Sequence, residues 1–293
     1  MPNRRIRVGE VTLQVREVVR RAPAVVFLHY GGGNLAMWEP VVPFFRDRYH
    51  ILLVDLRGHG RSDRPANDYH IDDMADDVAG LVDRLDLDQA HVVGSSLGAE
   101  VGLSLAARYP NRVASLVCDG ALHSEYGPYG MWQGSEAGFA EHAEQTIEML
   151  RTRDEPVFPT VDALVEESRR TLAPHGIWNG AMEAVVRYGA IRIDPTGYAG
   201  CWRRPLSEEY TGHYLRLRFE EYYRRIECPI LLVPDESILR NDRARTAMEG
   251  LAALARNCTI AQVEGWIHPY GWVVDPEAVC RVVLDFLKRR TPR

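Results

Sequence analysis

Short runs of almost unbroken apolar residues recur along the chain, separated by longer amphipathic stretches. AVVFLH (24–29), HILLVD (50–55), AHVVG (90–94), ASLVCD (114–119), PILLVP (229–234) and TIAQV (259–263) have the length of strands. A strand that is apolar at consecutive positions buries both of its faces, as happens in a parallel sheet covered by helices on each side. The stretches 71–86, 96–109, 242–256 and 276–290 read as helices, and VTLQVREV (11–18) alternates with period two as an antiparallel edge strand does. This alternation predicts an α/β fold with a mostly parallel central sheet flanked by helices.

The pattern stops near residue 122 and returns at Cys228-Pro229. The stretch between has no convincing buried strand, is rich in aromatic residues, and carries helical periods at 136–151, 161–172 and 180–190. It reads as an inserted helical cap over 123–225, with the core formed by 1–122 and 226–293. Its aromatics are expected mainly to pack among themselves, with a few at the entrance to a site.

Composition narrows the functions open to such a fold. The 293 residues are 46% hydrophobic, enough for a large core, and the formal net charge of −6 provides no basic footprint for nucleic acid. No polybasic run suggests a membrane surface, and no apolar stretch reads as a signal peptide or a transmembrane helix. The five cysteines are odd in number and widely spaced, without C-x-x-C, which suits free thiols and a cytoplasmic setting. No His/Asp/Glu grouping has metal-ligand spacing, HSEYG at 123 being too sparse. The glycines at 31–33 lack the pattern of a dinucleotide site. No metal or cofactor is therefore expected. The expected partner is a small-molecule substrate, with homo-oligomerisation left open.

Gly94-Ser95-Ser96-Leu97-Gly98 stands between a predicted strand and a predicted helix. G-x-S-x-G there fits a sharp turn that leaves its central side chain strained and exposed, with glycines where side chains would collide. Ser96 is the candidate nucleophile, and Ser95 a filler at the turn. Behind them Leu97, Val101 and Leu105 give an apolar helix face, and Gly98, Gly102 and Ala106 a small-residue face for close packing on the sheet.

A hydroxyl needs a base. His268, in VEGWIHPYGW, follows the last predicted strand and precedes the last helix. Backbone N–H groups must also meet the developing oxyanion. LHYGGGN (28–34) follows the first parallel strand, and the N–H groups of Gly31 and Leu97 are the candidate donors. His29, Tyr30 and Ser95 are the candidate pocket residues.

FLHYGGG, LVDLRGHGRSDRP (53–65), VVGSSLGA and VEGWIH follow one another as the landmarks of the α/β-hydrolase fold do. The chain resembles the cap-bearing serine esterase/lactonase type of that family over 24–119 and 229–290, the cap carrying no likeness. The resemblance implies Ser96 as nucleophile, His268 as base, and a bracing role for the DLRGHGRSD loop. Tyr30 departs from it, because the family has Gly after the His and a tyrosine resists positive φ. Its ring is expected to point into the pocket.

The acid that would orient His268 is the irregular part. The family places it a few residues beyond the strand ending near Val233, where this chain reads LLVPDESILRNDR and Ile238 takes the acid's place. Glu236 is the first choice. Asp119, at the end of SLVCD, is the alternative, since some members use that strand end. Asp242 comes third, in what reads as the first turn of a helix.

The expected function is hydrolysis of a carboxylic ester or lactone of a moderately sized lipophilic or aromatic molecule through an acyl-enzyme. Carbon–carbon, amide or carbamate cleavage and acyl transfer would use the same groups. A non-catalytic small-ligand scaffold is the other class, motivated by the irregular acid turn.

Overall fold

The computed structural model describes residues 3–288 except Asp194 and Thr196. Among them, eight strands form one sheet: β1 (Asn3–Val8), β2 (Val11–Val18), β3 (Ala24–Leu28), β4 (His50–Asp55), β5 (Ala90–Ser95), β6 (Val113–Asp119), β9 (Ile230–Leu232) and β10 (Cys258–Ile260). Their order is β1-β2-β4-β3-β5-β6-β9-β10. β1 and β2 run antiparallel, and every pairing from β4 to β10 is parallel. β7 (Ile191–Ile193) and β8 (Gly197–Ala199) form a separate hairpin.

The burial of the strands explains their composition. Val26, Leu28, Leu52, Val54, Val92 and Leu116 face one apolar cluster, while Val25, Phe27, Ile51, Leu53, Val93 and Val117 face another. Successive side chains on a strand point to opposite faces, so a sheet with a core on each side demands apolar residues in sequence. Helices α2 (Ile71–Arg84), α3 (Leu97–Arg108) and α10 (Asp242–Leu254) cover the first face. Helices α1 (Val42–Phe45), α11 (Gly271–Val274) and α12 (Pro276–Lys288) cover the second.

Two strands differ from expectation. β1 is charged and largely exposed, so no apolar run announces it. β10 is a three-residue, half-exposed edge strand rather than a buried one. The last helix reaches Lys288, and its expected final residues, 289 and 290, lie outside the described residues.

Between β6 and β9 come α4 (Glu136–Thr152), α5 (Val161–Leu172), α6 (Gly180–Gly189), the β7–β8 hairpin, α7 (Leu206–Tyr214) and α8 (Phe219–Tyr223). Phe139, Ala143 and Leu215 pack with Tyr126, Trp132 and Ile147 in a small cluster of their own. Other residues of the insertion reach the main core: Leu206 of α7 lies in the first cluster, and Met182 and Val185 of α6 lie in the second. Phe219, Tyr222 and Tyr223 join the core cluster under the sheet, and the Tyr223 hydroxyl donates to the Ala121 carbonyl at 3.0 Å. No helix among the described residues is long and apolar enough to cross a membrane.

The first turn of α3 meets the end of the sheet backbone to backbone. A Cβ on Gly98 would stand 2.1 Å from the Leu28 carbonyl oxygen, and one on Gly94 would stand 2.3 Å from that of Gly98. Both obstacles are backbone, which cannot rotate away. Gly98→Ala is expected to destabilise the fold by about 3 kcal/mol or more, as overpacking against an immovable wall does. Thermal and denaturant unfolding measure this, and a loss under about 1 kcal/mol would contradict the packing.

Candidate active site

Ser96 stands between the end of β5 and the start of α3 with φ 50° and ψ −119°. A serine in that region stores of order 1–3 kcal/mol of strain and persists only where its surroundings fix it. The Ser96 N–H donates to the Asp119 carbonyl at 2.6 Å, and its own carbonyl accepts from the N–H groups of Ala99 and Glu100 at 2.8 and 3.1 Å. The helix start and the neighbouring strand thus hold the bend from both sides.

β5 pairs with β6 so that Ser95 lies opposite Asp119. Asp119 is 1% exposed, and its side chain is fully engaged. Oδ1 accepts from Nδ1 of His268 at 2.6 Å and from the Trp266 indole at 3.2 Å; Oδ2 accepts from the Trp272 indole at 2.8 Å and from the Ser95 hydroxyl at 3.0 Å. Four donors offset the cost of burying a carboxylate. Ser95 is therefore more than a filler: it lies outside the lining of the cavity beside Ser96 and its hydroxyl holds the Asp119 carboxylate. Trp266 and Trp272 had no place in the sequence reading, although GWIHPYGW sets both beside His268.

Glu236 does not approach His268. It opens α9 (Glu236–Arg240), is 61% exposed and pairs with Arg240 at 3.0 Å. The turn after β9 gives its inward position to the preceding residue: Asp235 caps α9 by accepting from the Ile238 N–H and the Ser237 hydroxyl. Asp242 pairs with Arg245 on the surface.

His268 is half-buried and titrates above its ordinary value. Burial pushes it down, but the charge and hydrogen bond of Asp119, joined by the charges of Asp235 and Glu100, outweigh this. Ser96 and His268 both line a cavity of about 250 Å³ with Glu100, Asp119, Leu122, Tyr214, Asp235 and Ile238. No direct hydrogen bond joins Ser96 to His268 among the described residues, a contact that often tightens only with substrate bound.

The loop 28–34 approaches the same region. Its positive φ falls on Gly32, at 82°, which frees Tyr30 from the conformation it resists. Tyr30 turns its ring edge-on to Tyr270, 5.5 Å between centroids, rather than into the cavity beside Ser96. Burial raises its hydroxyl well above the usual tyrosine range. His29 is fully buried and lies outside the lining of the cavity beside Ser96. Its Nδ1 donates to the Tyr30 carbonyl, and its Nε2 accepts from the Leu56 N–H. His59 does likewise, Nδ1 to the Arg57 carbonyl and Nε2 from the Gly32 N–H. Burial holds His29 well below its ordinary value and His59 at about 4, so both stay neutral and can accept. Together they pin loop 28–34 to the loop after β4, the bracing that DLRGHGRSD suggested.

That bracing takes up the N–H of Gly32, and the Tyr30 carbonyl takes up that of Gly33. The N–H of Gly31 keeps no acceptor among the described residues, and that of Leu97, first in α3, has none within its helix. Trp202, from the segment between β8 and α7, lies over Gly31: a Cβ there would meet its ring at 2.8 Å. Trp202 also packs on His59 and on Tyr210.

The family model for the alpha/beta hydrolase fold matches residues 23–148. Over 292 residues the chain is 43% identical to the 2-(acetamidomethylene)succinate hydrolase of Mesorhizobium japonicum, a match covering 97% of this chain and 95% of that protein. A shorter match, 38% identical over 95 residues, joins 32% of this chain to 36% of 3-oxoadipate enol-lactonase 2 of Acinetobacter baylyi. Among solved structures, that of E-2-(acetamidomethylene)succinate hydrolase superposes with TM-score 0.75 at 26% identity, over 98% of this chain and 99% of that one. The long match runs through the helical insertion, where the motifs showed no likeness. With its parallel sheet, its bend at Ser96 and hydrolases for relatives, the chain belongs to the α/β-hydrolase fold family.

Proposed function

We propose that the protein is a serine hydrolase that cleaves a carboxylic ester or lactone of a small molecule through an acyl-enzyme, with Ser96, His268 and Asp119 as its triad. The observation that carries this is the hydrogen bond from His268 Nδ1 to a buried Asp119 whose backbone carbonyl also receives the Ser96 N–H. One residue thereby fixes both the base and the bend that presents the nucleophile.

In this reading Asp119 holds Nδ1 of His268 as the protonated nitrogen and leaves Nε2 free to accept. Nε2 takes the Ser96 proton as Oγ attacks the acyl carbon, and the N–H groups of Gly31 and Leu97 receive the oxyanion. The imidazolium gives the proton to the leaving oxygen. A water, deprotonated by the same nitrogen, then attacks the acyl-enzyme, and collapse of the second tetrahedral intermediate returns Ser96. The cavity of about 250 Å³ suits a small acyl or leaving group. Amide cleavage is the second reading. It is favoured by the relative that is 43% identical, whose name specifies an acetamido group.

Four measurements test the assignment. Ser96→Ala should lose labelling by a fluorophosphonate and lower kcat on an activated ester by about 10⁴-fold or more; undiminished turnover would remove Ser96 from the mechanism. Asp119→Asn should cost about 10⁴-fold in kcat, by forcing the wrong imidazole tautomer. Glu236→Gln, which breaks a solvated ion pair, should stay within about twofold of the parent, and the reverse ranking would restore Glu236 as the acid. Because the base must be neutral and its titration is shifted upward, kcat/KM should rise with pH through a midpoint above 6.5. A midpoint below that value would contradict the Asp119 pairing.

A further inference from the structure

The cavity beside Ser96 is lined by two carboxylates besides that of Asp119, with His123, His268, Ser237 and Tyr214 as its other polar side chains next to Ser96. Glu100 enters it from the first turn of α3, four residues beyond the nucleophile, and Asp235 enters from the turn after β9. Oε2 of Glu100 accepts from the Tyr210 hydroxyl at 2.8 Å, while Oε1 accepts no hydrogen bond among the described residues. Oδ1 of Asp235 caps α9 and takes the Ser237 hydroxyl, and Oδ2 is likewise without a donor there.

Several donors nearby are committed elsewhere, Nδ1 of His123 facing the Ser124 carbonyl at 3.3 Å and the Ser237 hydroxyl donating to Asp235. Tyr214, which lines the cavity, donates to Glu125 at 2.8 Å, and Tyr210 is used on Glu100. Neither arginine nor lysine lines the cavity among the described residues. Arg218 is spent on the Tyr126 carbonyl, and Arg243 on those of Gly130 and Trp132. Of the arginines in the cap, Arg187 pairs with Asp162 and Glu183, and Arg203 and Arg204 pair with Glu155.

We propose that Glu100 and Asp235 are specificity-determining residues that select substrates bearing a positively charged nitrogen beside the scissile acyl group and reject those bearing a carboxylate there. This rests on the serine-hydrolase reading and narrows its substrate class. A cation in the cavity meets two open carboxylate oxygens in a partly desolvated site, where opposite charges attract more strongly than in water. An anion meets the same two carboxylates with no arginine or lysine in the lining to offset them, the imidazoles of His123 and His268 being the cationic groups within reach. A succinate, the dicarboxylate in the relative's name, would bring two further negative charges. Burial pushes Glu100 up to about 7, against the pull of the Tyr210 hydrogen bond and the His268 charge. A bound cation would stabilise its ionised form.

The test uses three 4-nitrophenyl esters of matched shape, the 4-(trimethylammonio)butanoate, the 5,5-dimethylhexanoate and the 4-sulfobutanoate, on the parent protein and on Glu100→Gln. The Gln carbonyl can still accept from Tyr210. The parent is expected to show the highest kcat/KM on the cationic ester and the lowest on the sulfonate. Glu100→Gln should reduce the cation-to-anion ratio by about tenfold, the change expected from one well-placed charge. Asp235→Asn should reduce it in the same direction, and stands in for Glu100→Gln if that variant does not fold. A parent that prefers the sulfonate, or a ratio unchanged in both variants while Ser96 still takes the fluorophosphonate, overturns this proposal and leaves the serine-hydrolase reading intact. Loss of probe labelling and of all ester turnover in the folded parent overturns both.

Discussion

The pairing of β5 with β6 decides where every chemical group of the site can stand. Its register sets Ser95 opposite Asp119, so that the residue after β5 and the last residue of β6 emerge side by side at the same edge of the sheet. Asp119 then serves through both of its polar ends. Its backbone carbonyl holds the Ser96 N–H and so steadies a serine at φ 50°, while its side chain receives His268. A slip by one residue would turn the carboxylate to the other face of the sheet and leave the imidazole unsupported. The four donors around Asp119 come from β5 and from the loop and short helix before α12. The acid therefore also ties the end of the chain to the middle of the sheet.

The second constraint is the approach of backbone to backbone. α3 can begin directly beneath Leu28 and His29 because Gly98 carries no side chain. That closeness brings the Leu97 N–H near the loop that holds Gly31. Two neutral buried histidines then fix the loop, each using one ring nitrogen as donor and the other as acceptor. Neutrality follows from burial, since a fully enclosed imidazolium here would have no carboxylate partner to offset its desolvation.

The cap completes the site through polar and aromatic contacts. The Asn34 amide donates to the Val185 carbonyl in α6, and that of Asn179 donates to Val273 in α11, so α6 is attached both to loop 28–34 and to the segment after His268. Tyr210 and Tyr214, one turn apart in α7, place their hydroxyls on Glu100 and Glu125, and Trp202 covers Gly31. The aromatics that look in the sequence like one undivided group thus split by duty. Phe139, Trp132 and Tyr126 build the cap's own cluster, whereas Tyr214 lines the cavity, Tyr210 donates to Glu100 at its wall, and Trp202 packs on Tyr210 and over Gly31.

Much of this architecture was legible in the chain itself. Unbroken apolar strands require a sheet covered on both sides, so HILLVD and AHVVG announce the parallel core, and Gly94 and Gly98 announce a tight bend because only glycine fits there. Ser96 and His268 stand out by their flanking residues, which are local. The partner of His268 is not a local matter. Glu236 lies nearest the place the family's pattern assigns to the acid, yet it opens a helix turned to solvent, while Asp119, far away in sequence, is brought beside the imidazole by strand pairing. Trp266, Trp272 and Ser95 took on their roles for the same reason. The sequence by itself determined the sheet, the bend and the candidate pair Ser96 and His268, because each depends on a short run of residues. Only the tertiary structure decided the partner of His268 and the acidic lining of the cavity, because each depends on which side chains from separate elements come within a few ångströms.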